Sequence, residues 1–123
     1  MARNPVGWFE IYVQDMARAK AFYEKMLGVK LTKLDDAGME YWMFPGVPEG
    51  EGSSGALSRM EGVPSGGNST LVYFSCEDCA VEAGRVVPAG GKIMKEKFAI
   101  GQYGFVALGF DTEGNMFGLH SRK

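Results

Sequence analysis

The sequence predicts an α+β fold: two βαβββ modules in tandem, forming a cupped mixed sheet around a cavity. Three observations predict it. The chain repeats itself, since Asp15, Ala17 and Gly28 recur as Asp78, Ala80 and Gly91, each 63 residues further on. Self-similarity at a fixed offset marks a duplicated structural unit. Each copy also opens with a run rich in β-branched and aromatic residues, Gly7-Trp8-Phe9-Glu10-Ile11-Tyr12-Val13 and Thr70-Leu71-Val72-Tyr73-Phe74-Ser75-Cys76. Such runs suit strands. Glycine is the compositional outlier at 18 of 123 residues, about twice the average frequency, which implies many turns and close backbone approaches.

The elements follow in order. After the strand at 7–13, Asp15 can accept the first unpaired helix N–H groups and so caps a helix. Ala19, Phe22, Tyr23, Met26 and Leu27 recur at helical spacing as its apolar face, and Gly28 can take the left-handed conformation that ends it. Strands at 30–34, 40–44 and 55–60 complete module one (5–60). Residues 45–54 form a Gly/Pro-rich loop long enough for a lid or an interface arm. A hinge at 61–68 leads to module two (69–121). There the strand at 70–76 precedes a helix capped by Asp78, with Cys79, Ala83, Val86, Val87 and Gly90 on its apolar stripe. Pro88 implies that this helix loosens or ends early, and Gly91 matches Gly28 as a residue able to take the left-handed stop. Strands at 92–96, Phe105–Phe110 and Met116–Ser121 close the module. The methionines at 16, 26, 39, 43, 60, 94 and 116 read as a soft core or an adaptable pocket lining.

Composition excludes several classes. Thirteen basic against fifteen acidic residues give a net charge of −2, which offers no handle for nucleic acid or an anionic membrane. No apolar run approaches the ~18–20 residues that span a bilayer. The opening Met1-Ala2-Arg3-Asn4-Pro5-Val6-Gly7 lacks the apolar stretch of a secretory signal, so the expected location is the cytoplasm. The Asn68-Ser69-Thr70 sequon is then a chance match. Cys76 and Cys79 make a C-x-x-C, but no second pair completes a Cys-rich zinc site. Both read as small apolar fillers. The glycines at 50–55 lack the Lys-Ser/Thr and the strand-to-helix turn of a phosphate loop.

Three further stretches complete a pattern: Phe9-Glu10-Ile11-Tyr12-Val13-Gln14-Asp15 with Ala21-Phe22-Tyr23 and Leu27-Gly28; Ala89-Gly90-Gly91; and Phe110-Asp111-Thr112-Glu113-Gly114-Asn115. Over essentially the whole chain this resembles the vicinal oxygen chelate superfamily, the glyoxalase/bleomycin-resistance/extradiol-dioxygenase group. The resemblance implies paired βαβββ modules and a homodimer. It also implies metal ligands on the first and fourth strands of each module, which map to Trp8, Ala56, Leu71 and Gly118. None of these side chains donates to a divalent cation. The expectation is therefore no metal and no cofactor, with small residues enlarging the void.

Strand alternation places Trp8, Glu10 and Tyr12 on the cavity side, with Ala56, Ser58 and Met60, with Leu71, Tyr73 and Ser75, and with Met116, Gly118 and His120. A mostly apolar hollow with few polar groups suits a small-molecule ligand. The candidate ligand-binding residues are Trp8, Glu10, Tyr12, Ala56, Ser58, Leu71, Tyr73, Met116, Gly118 and His120. Trp8 equally suits core packing. Glu10 and His120, the single imidazole, are the candidate catalytic pair for acid/base chemistry. The plainer alternative has His120 exposed near the C-terminus and Glu10 paired with a basic side chain. Three functions stay open: a metal-free protein binding a small aromatic or amphipathic molecule, a lyase- or isomerase-type enzyme using Glu10 and His120 or an atypical metal site, and a structural or regulatory dimer.

Overall fold

The structure is a computed structural model that describes residues 4–34, 39–47, 50, 52–67, 69–112 and 114–123. Asn68 of the sequon and hinge, Glu113 of the Asp111–Asn115 turn, and Pro48, Glu49 and Glu51 of the 45–54 loop lie outside the described residues. Among the described residues, eight strands and two α-helices make a mixed α+β fold: β1 (Val6–Tyr12), α1 (Met16–Leu27), β2 (Thr32–Leu34), β3 (Glu40–Met43), β4 (Ser54–Arg59), β5 (Thr70–Ser75), α2 (Cys79–Val86), β6 (Lys92–Ala99), β7 (Phe105–Phe110) and β8 (Met116–Ser121). The chain divides into two compact units, Phe9–Thr70 and Leu71–Lys123, the latter including the residues up to Trp8.

In the Phe9–Thr70 unit the strand order is β2-β3-β4-β1. Strands β2, β3 and β4 pair antiparallel, with Trp42 opposite Leu57 and Tyr41 opposite Ser58. The Asp15 side chain accepts from the Arg18 N–H, and Gly28 ends α1 at φ +68°, so both helix signals act as the sequence implies. Val13, Met16, Leu31 and Leu57 form the core, with Ile11, Ala19, Tyr23, Val29, Trp42 and Phe44 packed against it. The expected helix stripe is only partly used. Phe22, Met26 and Leu27 are 58%, 57% and 53% exposed. At ~100° per residue Phe22 stands about 120° round the helix from Met16, outside the face centred on Met16, Ala19 and Tyr23, whereas Met26 and Leu27 lie within or beside that face but in the last turn of the helix.

In the Leu71–Lys123 unit the order is β5-β8-β7-β6. Strand β5 runs parallel to β8, and β6–β7 and β7–β8 are antiparallel. Helix α2 starts at Asp78, whose carboxylate accepts from the Ala80 N–H. Its core is Cys79, Ala83, Ala107 and Leu119, whereas Val87 is 63% exposed. The helix ends at Val86, two residues before Pro88. Gly91 is therefore not its left-handed stop, and Gly90 takes the positive φ of +103°. Gly91 serves close approach, since a Cβ there would lie 2.5 Å from the Phe110 carbonyl oxygen. Strand β6 runs to Ala99, beyond the expected 96, through two register irregularities. Among the methionines, Met16 is buried while Met26, Met60 and Met94 are exposed. Met60 falls just beyond β4.

Candidate functional site

Each unit has one strand face packed against its helix, and the pleat turns alternate residues to the other face. In the Phe9–Thr70 unit, Ile11, Val13 and Leu57 belong to the helix-side core. Glu10, Tyr12, Ala56 and Ser58 therefore share the opposite face. All four are buried, Glu10 at 5% exposure and Ala56 and Ser58 at 0%. The Tyr12 hydroxyl donates to Glu10 Oε1 at 2.6 Å, at the short end of the O–H···O range. Beside them the Ser58 hydroxyl is buried and has no hydrogen-bond partner. Buried polar atoms are nearly always paired, so this hydroxyl is an exception that calls for an explanation.

In the Leu71–Lys123 unit, Phe74, Cys76, Phe105, Ala107, Phe117 and Leu119 face the helix. Tyr73 and Ser75, with Gly118 and His120, occupy the other face, Tyr73 directly opposite Gly118 and Ser75 opposite His120. Leu71 is buried on that face, while Tyr73, Met116 and Trp8 are half-buried. Gly118 does not enlarge a void, contrary to expectation. A Cβ there would run into the Tyr73 ring, so an aromatic side chain fills the space that the glycine leaves. The His120 Nε2 bonds the Tyr103 carbonyl oxygen at 2.6 Å. Tyr103 lies in a 3₁₀ turn, Gly101–Tyr103, which the sequence reading missed. The Gly101 and Gly104 that flank the tyrosine were the available signal.

Glu10 and His120 thus belong to different units, and each has a partner within its own: Tyr12 for the carboxylate, the Tyr103 carbonyl for the imidazole. Among the described residues no group of three or more His, Cys, Asp or Glu is placed to hold a metal ion. The four positions that the resemblance assigns to ligands hold Trp8, Ala56, Leu71 and Gly118, so their donor chemistry does not fit a divalent cation.

The C-x-x-C is not a reactive pair. Cys79 is fully buried, its N–H held by Ser121 Oγ at 3.0 Å. Burial pushes the Cys76 thiol up to about 11, and the negative charge of Glu82 adds to the rise. The thiolate is the nucleophile, so Cys76 should alkylate slowly with iodoacetamide at pH 7–8 and faster as pH climbs toward 11. Cys79 should label only on unfolding. Mass-spectrometric mapping of the adducts checks both, and rapid labelling of Cys76 at neutral pH would contradict the assignment. Nearby, Asp78 is held below the usual carboxylate range by the Lys97 ammonium at 2.8 Å and by the Ala80 N–H.

Comparison with known proteins places this geometry. Residues 6–119 match the model of the Glyoxalase/Bleomycin resistance protein/Dioxygenase superfamily. A Mycobacterium bovis protein named "Putative glyoxylase CFP32" is 27% identical over 112 residues, 91% of this chain and 42% of its own length. The same name and figures hold for a Mycobacterium tuberculosis protein. The chain thus spans about two-fifths of the length of these relatives. Hypothetical protein BH1468 from Bacillus halodurans C-125 shares the fold at TM-score 0.72 and 14% identity, covering 96% of this chain and 94% of that one. Methylmalonyl-CoA epimerase from Mycobacterium tuberculosis does so at 0.69 and 15%, covering 97% and 88%. With the family model covering nearly the whole chain and the repeated βαβββ order present, this protein belongs to the Glyoxalase/Bleomycin resistance protein/Dioxygenase superfamily.

Proposed function

We propose that this protein binds a small aromatic or amphipathic molecule without a metal ion, using the strand faces turned away from its helices. The observation that carries the reading is the Ser58 hydroxyl, buried at 0% exposure and lacking a hydrogen-bond partner. A burial of that kind costs about 1–3 kcal/mol, and a ligand that supplies the missing bond recovers it. The donor-free set Trp8, Ala56, Leu71 and Gly118 supports the metal-free part, and Trp8, Tyr12, Leu71, Tyr73 and Met116 supply apolar and aromatic contact area. A single domain of two modules, acting as a cytoplasmic homodimer, completes the reading.

The test is a thermal-shift and tryptophan-fluorescence survey of aromatic ligands on the wild type and on Ser58→Ala, with metal analysis of the purified protein. The variant is expected to be as stable as the wild type or more so when free. It should bind its best ligand roughly 5- to 150-fold more weakly, because only the wild type recovers the ~1–3 kcal/mol cost of the unpaired hydroxyl on binding. A variant that loses stability when free shows that the hydroxyl is already satisfied, and the reading then fails. A stoichiometric transition metal would remove its metal-free part.

A second reading is an acid/base enzyme of lyase or isomerase type using Glu10 and His120. The short Tyr12–Glu10 bond favours it, because a hydroxyl that donates to a carboxylate fixes one of its oxygens and orients the group. Substrate turnover abolished by both Glu10→Gln and His120→Gln would favour this reading over binding alone.

A further inference from the structure

We infer that the Gly101–Gly104 turn is a clamp that fixes the proton of His120 on Nε2, leaving Nδ1 as the ring's acceptor for an O–H or N–H group of a ligand. A carbonyl oxygen can only accept, so the 2.6 Å contact between His120 Nε2 and the Tyr103 carbonyl requires the proton on Nε2. In the neutral ring the lone pair then sits on Nδ1. Among the described residues Nδ1 has no hydrogen-bond partner, and the ring is half-buried on the face that carries Gly118 and Met116.

The carbonyl is held in place by the backbone. The Gly104 N–H bonds the Gly101 carbonyl at 3.2 Å, and the Ile100 N–H bonds the Gly104 carbonyl at 2.8 Å. Gly104 stands at φ +105°, ψ −128°, a region essentially closed to other residues. A Cβ on Gly104 would also strike the carbonyl oxygen of Ser121, the residue after His120. The turn and the histidine strand are thereby packed backbone to backbone. Tyr103 acts through its carbonyl as a positioning residue, and His120 is the group that meets the ligand. That a ligand meets this nitrogen rests on the binding reading above; the proton's place on the ring does not.

The chain has one histidine, so nitrogen-15 labelling of histidine reports on this ring alone. In the full chain, at a pH where the ring is neutral, Nε2 is expected to show the protonated shift and Nδ1 the unprotonated one, as a single tautomer. The reverse assignment, or averaged shifts, would overturn the clamp. Gly104→Ala should displace the turn and bring the two nitrogen shifts toward each other while far-ultraviolet circular dichroism stays that of a folded chain. Unchanged shifts in a folded variant also overturn it. Should that variant not fold, the wild type decides with diethyl pyrocarbonate. The lone-pair nitrogen attacks a carbonyl carbon of the anhydride, a C–N bond forms as the C–O bond breaks, and ethyl carbonate leaves as the ring proton passes to water. The adduct is expected on Nδ1, and an adduct on Nε2 or no adduct on the folded protein counts against the clamp. A chain that binds no aromatic ligand yet shows this ring chemistry removes the binding reading and upholds the clamp.

Discussion

Replacing Leu57 by alanine is expected to destabilise the protein by about 2–5 kcal/mol, the range for emptying a buried leucine site. Leu57 is fully buried at the centre of β4. It meets Val13, Met16 and Leu31, and the half-buried rings of Tyr23, Trp42 and Phe44 pack on the same cluster. The lost methyl groups carry their transfer free energy with them, and the cavity adds its own term because Trp42, directly opposite on β3, cannot slide along its strand to fill it. Urea unfolding followed by tryptophan emission measures the change as a lower midpoint at unchanged slope. A loss below about 1 kcal/mol would mean that the site collapses freely and that this cluster is not the unit's core.

Gly118→Ala is expected to cost about 1–3 kcal/mol, the usual penalty for overfilling a packed site. Gly118 is not among the positive-φ glycines, so the cost is steric: the new methyl enters the Tyr73 ring. Tyr73→Ala on its own leaves the glycine uncovered and also loses stability. In the double variant the alanine methyl has room, so the two losses should fall short of additivity by about 0.5–3 kcal/mol, as contacting residues do. Strict additivity in a denaturation cycle would show that the ring does not lie over residue 118. The same cycle bears on binding, because Tyr73 is a candidate ligand contact and a displaced ring changes the surface offered to an aromatic molecule.

Much of the fold was legible because the relevant physics is local. Asp15, Asp78 and Gly28 act within a single helical turn, and the alternation in β7 and β8 places both strands at the bounds read from the sequence. Alternation also separates Glu10, Tyr12, Ala56 and Ser58 from the helix-side residues. What was not legible depends on neighbours distant in the chain. The exposure of Phe22 and Met26 reflects how much of the apolar stripe the sheet covers, the arc around Met16, Ala19 and Tyr23, and spacing alone does not say how wide that arc is. Gly91 reads as a helix stop by analogy with Gly28; the helix ends early, as Pro88 implies, and what the local sequence does not show is the close approach of Gly91 to Phe110. The filling of the Gly118 space needs the parallel register that sets Tyr73 beside it. The Tyr103 carbonyl that takes the His120 proton donor belongs to a turn 17 residues away, where composition marks flexibility but not the carbonyl's direction.

Three glycines are each overlain by an aromatic ring of the same unit: Gly55 by Phe9, Gly109 by Phe117 and Gly118 by Tyr73. Neither member of such a couple can drift alone without a stability penalty, so over generations glycine and ring should be exchanged together or not at all. For residue 118 the constraint has a direction: any lineage acquiring a larger side chain there must first surrender the tyrosine at 73.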